Sequence, residues 1–129
     1  MHISTICLLT IFLHSIASGA IPESKSWNEF EAMMKGGGTY CLIVVYNYNM
    51  DENLKAIEPV CENYPSVKCY YGIQGASKSN QPHTSFDNHF KNPATPAFFF
   101  FKNGQQVKVI AHSSTGISMV DVDAAFKSL

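Results

Sequence analysis

The 129-residue sequence predicts an α/β fold, a mixed sheet of about four strands flanked by helices on both faces. Three observations carry that reading. Tyr40-Cys41-Leu42-Ile43-Val44-Val45-Tyr46 is an unbroken apolar, β-branched run, the pattern of a strand covered on both faces. Helical and strand periodicities alternate through the first part of the chain, as parallel strands joined by helices require. Asn103-Gly104 then separates two strand-like runs, a hairpin signal that adds antiparallel pairing.

Each element has its own signal. Ser26-Trp27-Asn28-Glu29 forms a capping box, Trp27, Phe30 and Met34 recur at helical spacing, and Gly36-Gly37-Gly38 ends that helix. After the strand over Tyr40–Tyr46, Asn47-Tyr48-Asn49 reads as a turn, with Asn49 and Glu52 capping a second helix. Leu54, Ile57, Cys61 and Tyr64 share one face of it, so Cys61 reads as a small buried hydrophobe. Pro59 lies inside this helix and removes one backbone bond. Val67–Ile73 is a second strand, and Gly75–Pro82 is a polar surface loop. Thr84–Lys91 forms a short helix with Phe86 and Phe90 one turn apart, followed by the proline-broken Asn92–Pro96. Ala97–Phe101 and Val107–Ile110 flank a type I′ turn at Asn103-Gly104. Ser118 and Asp121 open a last helix whose buried stripe is Val122, Ala125, Phe126 and Leu129.

Composition narrows function. Net charge is -1, 46% of residues are hydrophobic, and all nine cationic side chains are lysine. Without arginine there is no bidentate phosphate fork, and a near-neutral chain has no electrostatic footprint for nucleic acid. Ile6–Leu13 is an uncharged apolar run followed by the small residues Ala17-Ser18-Gly19-Ala20. This pattern predicts a signal peptide over residues 1–20, cut after Ala20, and one domain over 21–129. A spanning helix needs ~20 apolar residues, which His14-Ser15 interrupts, so no membrane attachment is expected after cleavage. The expected location is therefore outside the cell. The endoplasmic reticulum lumen is the alternative, disfavoured because no K-D-E-L-type tail is present. No N-x-S/T sequon occurs.

Cleavage removes Cys7 and leaves Cys41, Cys61 and Cys69, an odd number in an oxidising compartment. No C-x-x-C exists, and neither these cysteines nor His83, His89 and His112 have zinc spacing. No metal and no cofactor is expected.

The element order, with a buried strand feeding a helix that contains a proline, resembles the thioredoxin family over residues 24–129. Tyr40–Tyr46 matches its central strand, Asn47–Met50 the approach to its active site, and Pro59 its helix proline. Thr95-Pro96-Ala97-Phe98 is similar to the loop whose cis-proline faces the redox centre, and Phe99–Gln105 to the strand-turn-strand that follows. The resemblance implies a thioredoxin fold, yet the family's W-C-G-P-C-K falls on Met50-Asp51-Glu52-Asn53-Leu54-Lys55. Asp51 and Leu54 stand at the two cysteine positions, and Val45 at that of a buried acid. Disulfide exchange needs a thiolate, so no catalytic residue is expected at Asp51 or Leu54. The resemblance also sets the strands of Cys41 and Cys69 side by side, which leaves a Cys41–Cys69 bridge open, although adjacent parallel strands suit one poorly.

What the resemblance leaves is a groove for an extended protein or peptide. Its candidate binding residues are Tyr48, Met50, Asp51, Thr95 and Pro96, with the Thr95 backbone as the strand-like partner. The expected function is a secreted or luminal, redox-inactive thioredoxin-like module that binds protein or peptide. One alternative is a thiol-disulfide oxidoreductase or isomerase working through a remaining cysteine. The other is a secreted effector using an unrelated surface such as Gly75–Pro82.

Overall fold

A computed structural model describes residues 20–75 and 83–129. The expected signal peptide over 1–20 therefore lies outside the described residues except for Ala20, as does most of the Gly75–Pro82 loop.

The elements follow the expected order. Helix α1 (Trp27–Met34) leads into strand β1 (Thr39–Tyr46), a single 3-10 turn (Asn47–Asn49) and helix α2 (Met50–Asn63). Strand β2 (Lys68–Gln74), helix α3 (Ser85–Phe90), strands β3 (Ala97–Lys102) and β4 (Gln105–Ala111), and helix α4 (Met119–Lys127) complete the order. The sheet runs β2-β1-β3-β4, with β1 parallel to β2 and antiparallel to β3. The chain is thus an α/β protein built on a mixed four-stranded sheet.

Local chemistry explains the boundaries. Ser26 Oγ accepts from the Glu29 amide, and the Glu29 carboxylate accepts from the Lys25 amide, one residue before the expected capping-box partner. After α1 the chain must turn through Gly37 and Gly38 at φ 81° and 102°, a region glycine enters without steric cost. Asn103 and Gly104 take φ 50° and 80°, which is the type I′ turn. Asn103 also ties the hairpin to that glycine turn. Its Oδ1 accepts from the Gly38 amide at 3.0 Å, and its own amide donates to the Gly38 carbonyl at 2.8 Å.

Strand periodicity divides the core into two layers. Cys41, Ile43 and Val45 pack with Leu54, Ile57, Phe98, Phe100 and the α4 stripe Val122, Ala125 and Phe126. Tyr40, Leu42 and Val44 point the other way, onto Phe30, Met34, Phe86, Phe99 and Phe101. Helices α2 and α4 cover one face and α1 and α3 the other. Among the described residues, no helix is long and apolar enough to cross a membrane.

Two expectations fail. Asn49 does not cap α2 with its side chain, because the 3-10 turn delivers the chain into the helix with Asn49 at φ -122°, ψ 27° rather than in the extended conformation a cap needs. Cys61 is not a lone core residue. It forms a disulfide with Cys69, their Cα atoms 6.3 Å apart, and Cys41 is the free cysteine among the described residues. Cys41 and Cys69 are register partners, but side chains abreast on parallel strands lie farther apart than the ~3.8 Å between Cβ atoms that a disulfide prefers. Cys61 descends on Cys69 from the helix above, and their Cα separation of 6.3 Å falls in the range disulfides span.

Two predictions follow from these contacts. A Cβ at Gly72 would come within 2.6 Å of the Phe86 ring, which is fully buried. Gly72→Ala should cost about 1–3 kcal/mol in urea denaturation, and Phe86→Leu should recover part of it. At the far end of α2, Tyr64 Oη donates to Asp123 Oδ1 at 2.6 Å, and Lys127 Nζ lies 3.2 Å from Oδ2. The Tyr64 hydrogen bond first, then Lys127, holds the Asp123 carboxyl below its ordinary value, while the same bond raises the Tyr64 phenol. A lowered acid contributes stability that is lost as pH falls through its folded pKa. A raised phenol contributes stability that is lost as pH rises through its own. The stability gap between wild type and Tyr64→Phe should therefore be widest between about pH 4 and pH 10 and close on both sides, read by denaturation across pH.

Candidate functional site

The end of the sheet where β1 finishes gathers the predicted residues. Val44 pairs with Ala97 across β1 and β3, so Tyr46 and the Thr95-Pro96 bond stand at the same sheet end. The 3-10 turn and the start of α2 project from there. Tyr48 is 91% exposed and packs its ring on Tyr46, with centroids 6.5 Å apart. Met50 rests against the apolar layer under α2, while Asp51 and Glu52 are exposed in the first helical turn. That is where the helix dipole favours negative charge. A depression of about 210 Å³ runs along Asn47, Tyr48, Met50, Asp51 and Glu52. Thr95 and Pro96, both half-buried, lie outside it, so the two halves of the expected groove share a sheet end but not one cavity.

The Thr95-Pro96 bond is cis, as the resemblance implies. Its loop is held by Gln74, a buried residue at the end of β2. Gln74 Nε2 donates to the Pro93 carbonyl at 2.8 Å, and Thr95 Oγ1 donates to Gln74 Oε1 at 3.0 Å. The Pro96 carbonyl accepts from the His112 amide at 3.1 Å. Among the described residues, no hydrogen bond engages the Thr95 amide or carbonyl, and these are the groups an extended strand would use.

Sequence reasoning missed two members of this region. Gln74 gave one signal, a polar residue closing a strand. Asn53 gave none: its Nδ2 is buried without a hydrogen-bond partner, two residues beyond Asp51 in α2.

Thiol chemistry has little to work with here. Leu54 is buried and Asp51 exposed, at the positions matched to the family's cysteines. Cys41 is fully enclosed, and burial pushes its thiol well above the ordinary value, which leaves it inert. The Cys61–Cys69 bridge sits ten residues along α2 from Asp51, about 15 Å at 1.5 Å per residue. No group of three histidine, cysteine or acidic residues could hold a metal among the described residues.

No family model and no curated protein sequence matches the chain. Solved structures do. Oxidised mitochondrial thioredoxin 3 of Saccharomyces cerevisiae superposes with a TM-score of 0.65 at 16% identity, over 84% of this chain and 95% of that one. Malassezia sympodialis thioredoxin gives 0.59 at 19% identity over 85% and 90%, and oxidised Arabidopsis thaliana thioredoxin O2 gives 0.59 at 17% over 86% and 95%. The chain therefore has a thioredoxin-like fold. Identities this low speak to the fold alone.

The Gln74 clamp makes a testable point. Gln74→Leu leaves Thr95 Oγ1 and the Pro93 carbonyl without their partner and should cost about 1–3 kcal/mol. Hydrogen exchange should localise the loosening to residues 93–96, with β1 and β3 still protected.

Proposed function

We propose that this chain is a secreted or luminal, redox-inactive thioredoxin-like module that binds an extended segment of a protein partner beside the Thr95-Pro96 loop. The observation that carries the reading is an asymmetry at one sheet end. The cis loop is clamped by Gln74 with the Thr95 backbone groups unengaged, while the facing helix start bears Asp51 instead of a thiol. Loss of exchange chemistry follows from that replacement and from the enclosure of Cys41. The partner segment lies extended along Thr95, packs an apolar side chain on Tyr48 and Met50, and sets a basic side chain against Asp51 and Glu52. The disulfide supports an oxidising compartment.

A second reading is favoured by one specific feature, the partly exposed Cys61–Cys69 bridge, and makes the chain a thiol-disulfide oxidoreductase working there. Two measurements separate the readings. With dithiothreitol as electron source, protein disulfide reduction should stay at the reagent background, and turnover abolished by Cys61→Ser would establish the second reading. Extended peptides selected from a random library on the immobilised chain should bind about tenfold more weakly to Tyr48→Ser and to Asp51→Lys, a loss of about 1.4 kcal/mol each. Both residues are exposed, so neither change threatens the fold. Selected peptides indifferent to both substitutions would rule out this surface.

A further inference from the structure

The second cavity of interest lies at the opposite end of α2, about 360 Å³ in volume, with the Cys61–Cys69 bridge in its wall. Ala20, Ile21 and Pro22 line it on one side and Glu58 and Glu62 on the other. These two glutamates stand four residues apart on one helix, where like charges repel. Glu62 also lies in the helix's last turn, where the dipole is negative, and α2 has no basic residue there. Neither carboxylate makes an ion pair or hydrogen bond with any described residue. Half-buried Glu58 and exposed Glu62 thus bring two negative charges to a place that disfavours them.

The facing segment is fixed. The Pro22 carbonyl accepts from the Tyr71 amide at 3.0 Å, the Ser24 amide donates to the Tyr71 carbonyl at 2.8 Å, and Glu23 forms a parallel bridge with Tyr71. Ile21 precedes this pinned stretch and packs against the layer beneath α2. Ala20 and Ile21, on either side of the bond that precedes this stretch, both line the cavity. The other groups facing it are few. Cys69 of β2 is oxidised and does not titrate, Glu23 on the same segment acts on Tyr71, and no lysine or histidine lines the cavity.

We infer that hydrolysis of the Ala20–Ile21 bond creates the missing cation, an α-ammonium on Ile21 that pairs with Glu58 and Glu62 and fastens the new N-terminus to the end of α2. The inference rests on the secretory reading above. Water adds across the amide: the Ala20 carbonyl leaves as a carboxylate with the leader, and the Ile21 amine takes a proton from solvent. Before cleavage the same nitrogen is a neutral amide and offers the glutamates no charge. Processing then supplies a counter-charge where the intact chain sets two carboxylates against each other.

The experiment uses the full chain expressed through a eukaryotic secretory pathway. Mass spectrometry of the exported protein should find Ile21 as its first residue. The Ile21 α-amino group, followed through its 13Cα shift against pH, should titrate at least ~0.5 unit above the ordinary 7.7–8.0. The shift should shrink in Glu58→Gln and in Glu62→Gln and vanish in the double variant. Because the group's pKa is raised, its contribution to stability should be complete below the ordinary value and lost as pH rises through the raised one. A retained leader or a cut at another bond overturns the inference together with the secretory reading. An Ile21 terminus that titrates normally, indifferent to both substitutions, overturns the ion pair and leaves secretion standing.

Discussion

Everything in this fold hangs on β1 being covered on both faces. Tyr40 through Val45 are essentially without solvent contact, and both strand neighbours take their register from them. A strand buried in this way must satisfy its backbone within the sheet and its side chains in two separate layers. That requirement recruits α2 and α4 to one side and α1 and α3 to the other. It also dictates where a binding surface can form. β1 lies between β2 and β3 with helices over both faces, so its own backbone is free only where it ends, in the 3-10 turn beside the Thr95-Pro96 loop.

The elements that announced themselves in the sequence are those whose signals are local. The Ser26 cap, the glycine turn, Asn103-Gly104 and the Val122–Phe126 stripe each depend on residues within a few positions of one another. The mixed sheet was legible for the same reason, since a continuous apolar run and a hairpin together leave few topologies. The cis Thr95-Pro96 bond was legible from a proline in a tight loop between a helix and a strand, and from the family resemblance that points the same way. What stayed hidden depends on register across distance. Cys61 falls on the apolar stripe of α2 and looks like core until the helix is laid over β2, when it meets Cys69. Gln74 reads as the end of a strand, and its role appears only once the 93–96 loop returns to it from a different part of the chain. Asn49 has the right identity for a cap and the wrong backbone, because the preceding turn tightens to 3-10 geometry.

Loop and helix start are positioned by forces unrelated to catalysis: the Gln74 clamp, the His112–Pro96 backbone bond, and burial of Leu54 and Ile57 under α2. Leu54 adds to the apolar layer, and Asp51 sits comfortably with the dipole at a helix start. Both side chains suit the places they occupy. The orphan amide of Asn53 is the exception, a buried donor of the kind that costs about 1–3 kcal/mol when nothing accepts from it.

Helix α2 joins these two regions and treats charge oppositely at its ends. Asp51 and Glu52 complement the dipole at the start, and Glu62 opposes it in the last turn, one helical turn past Glu58. The opposition is tolerable because that end is held by other means: the Cys61–Cys69 bridge ties it to β2, and the Tyr64–Asp123 hydrogen bond ties it to α4. A helix fixed covalently at one end can carry unfavourable charge there without unwinding, which a frayed terminus could not. The same fixation keeps the carboxylates on the cavity where the N-terminal segment is pinned to Tyr71. The candidate surface at the start of α2 then rests on a helix whose far end is clamped to both β2 and α4. Its exposed residues project from a packed helix rather than from a loop.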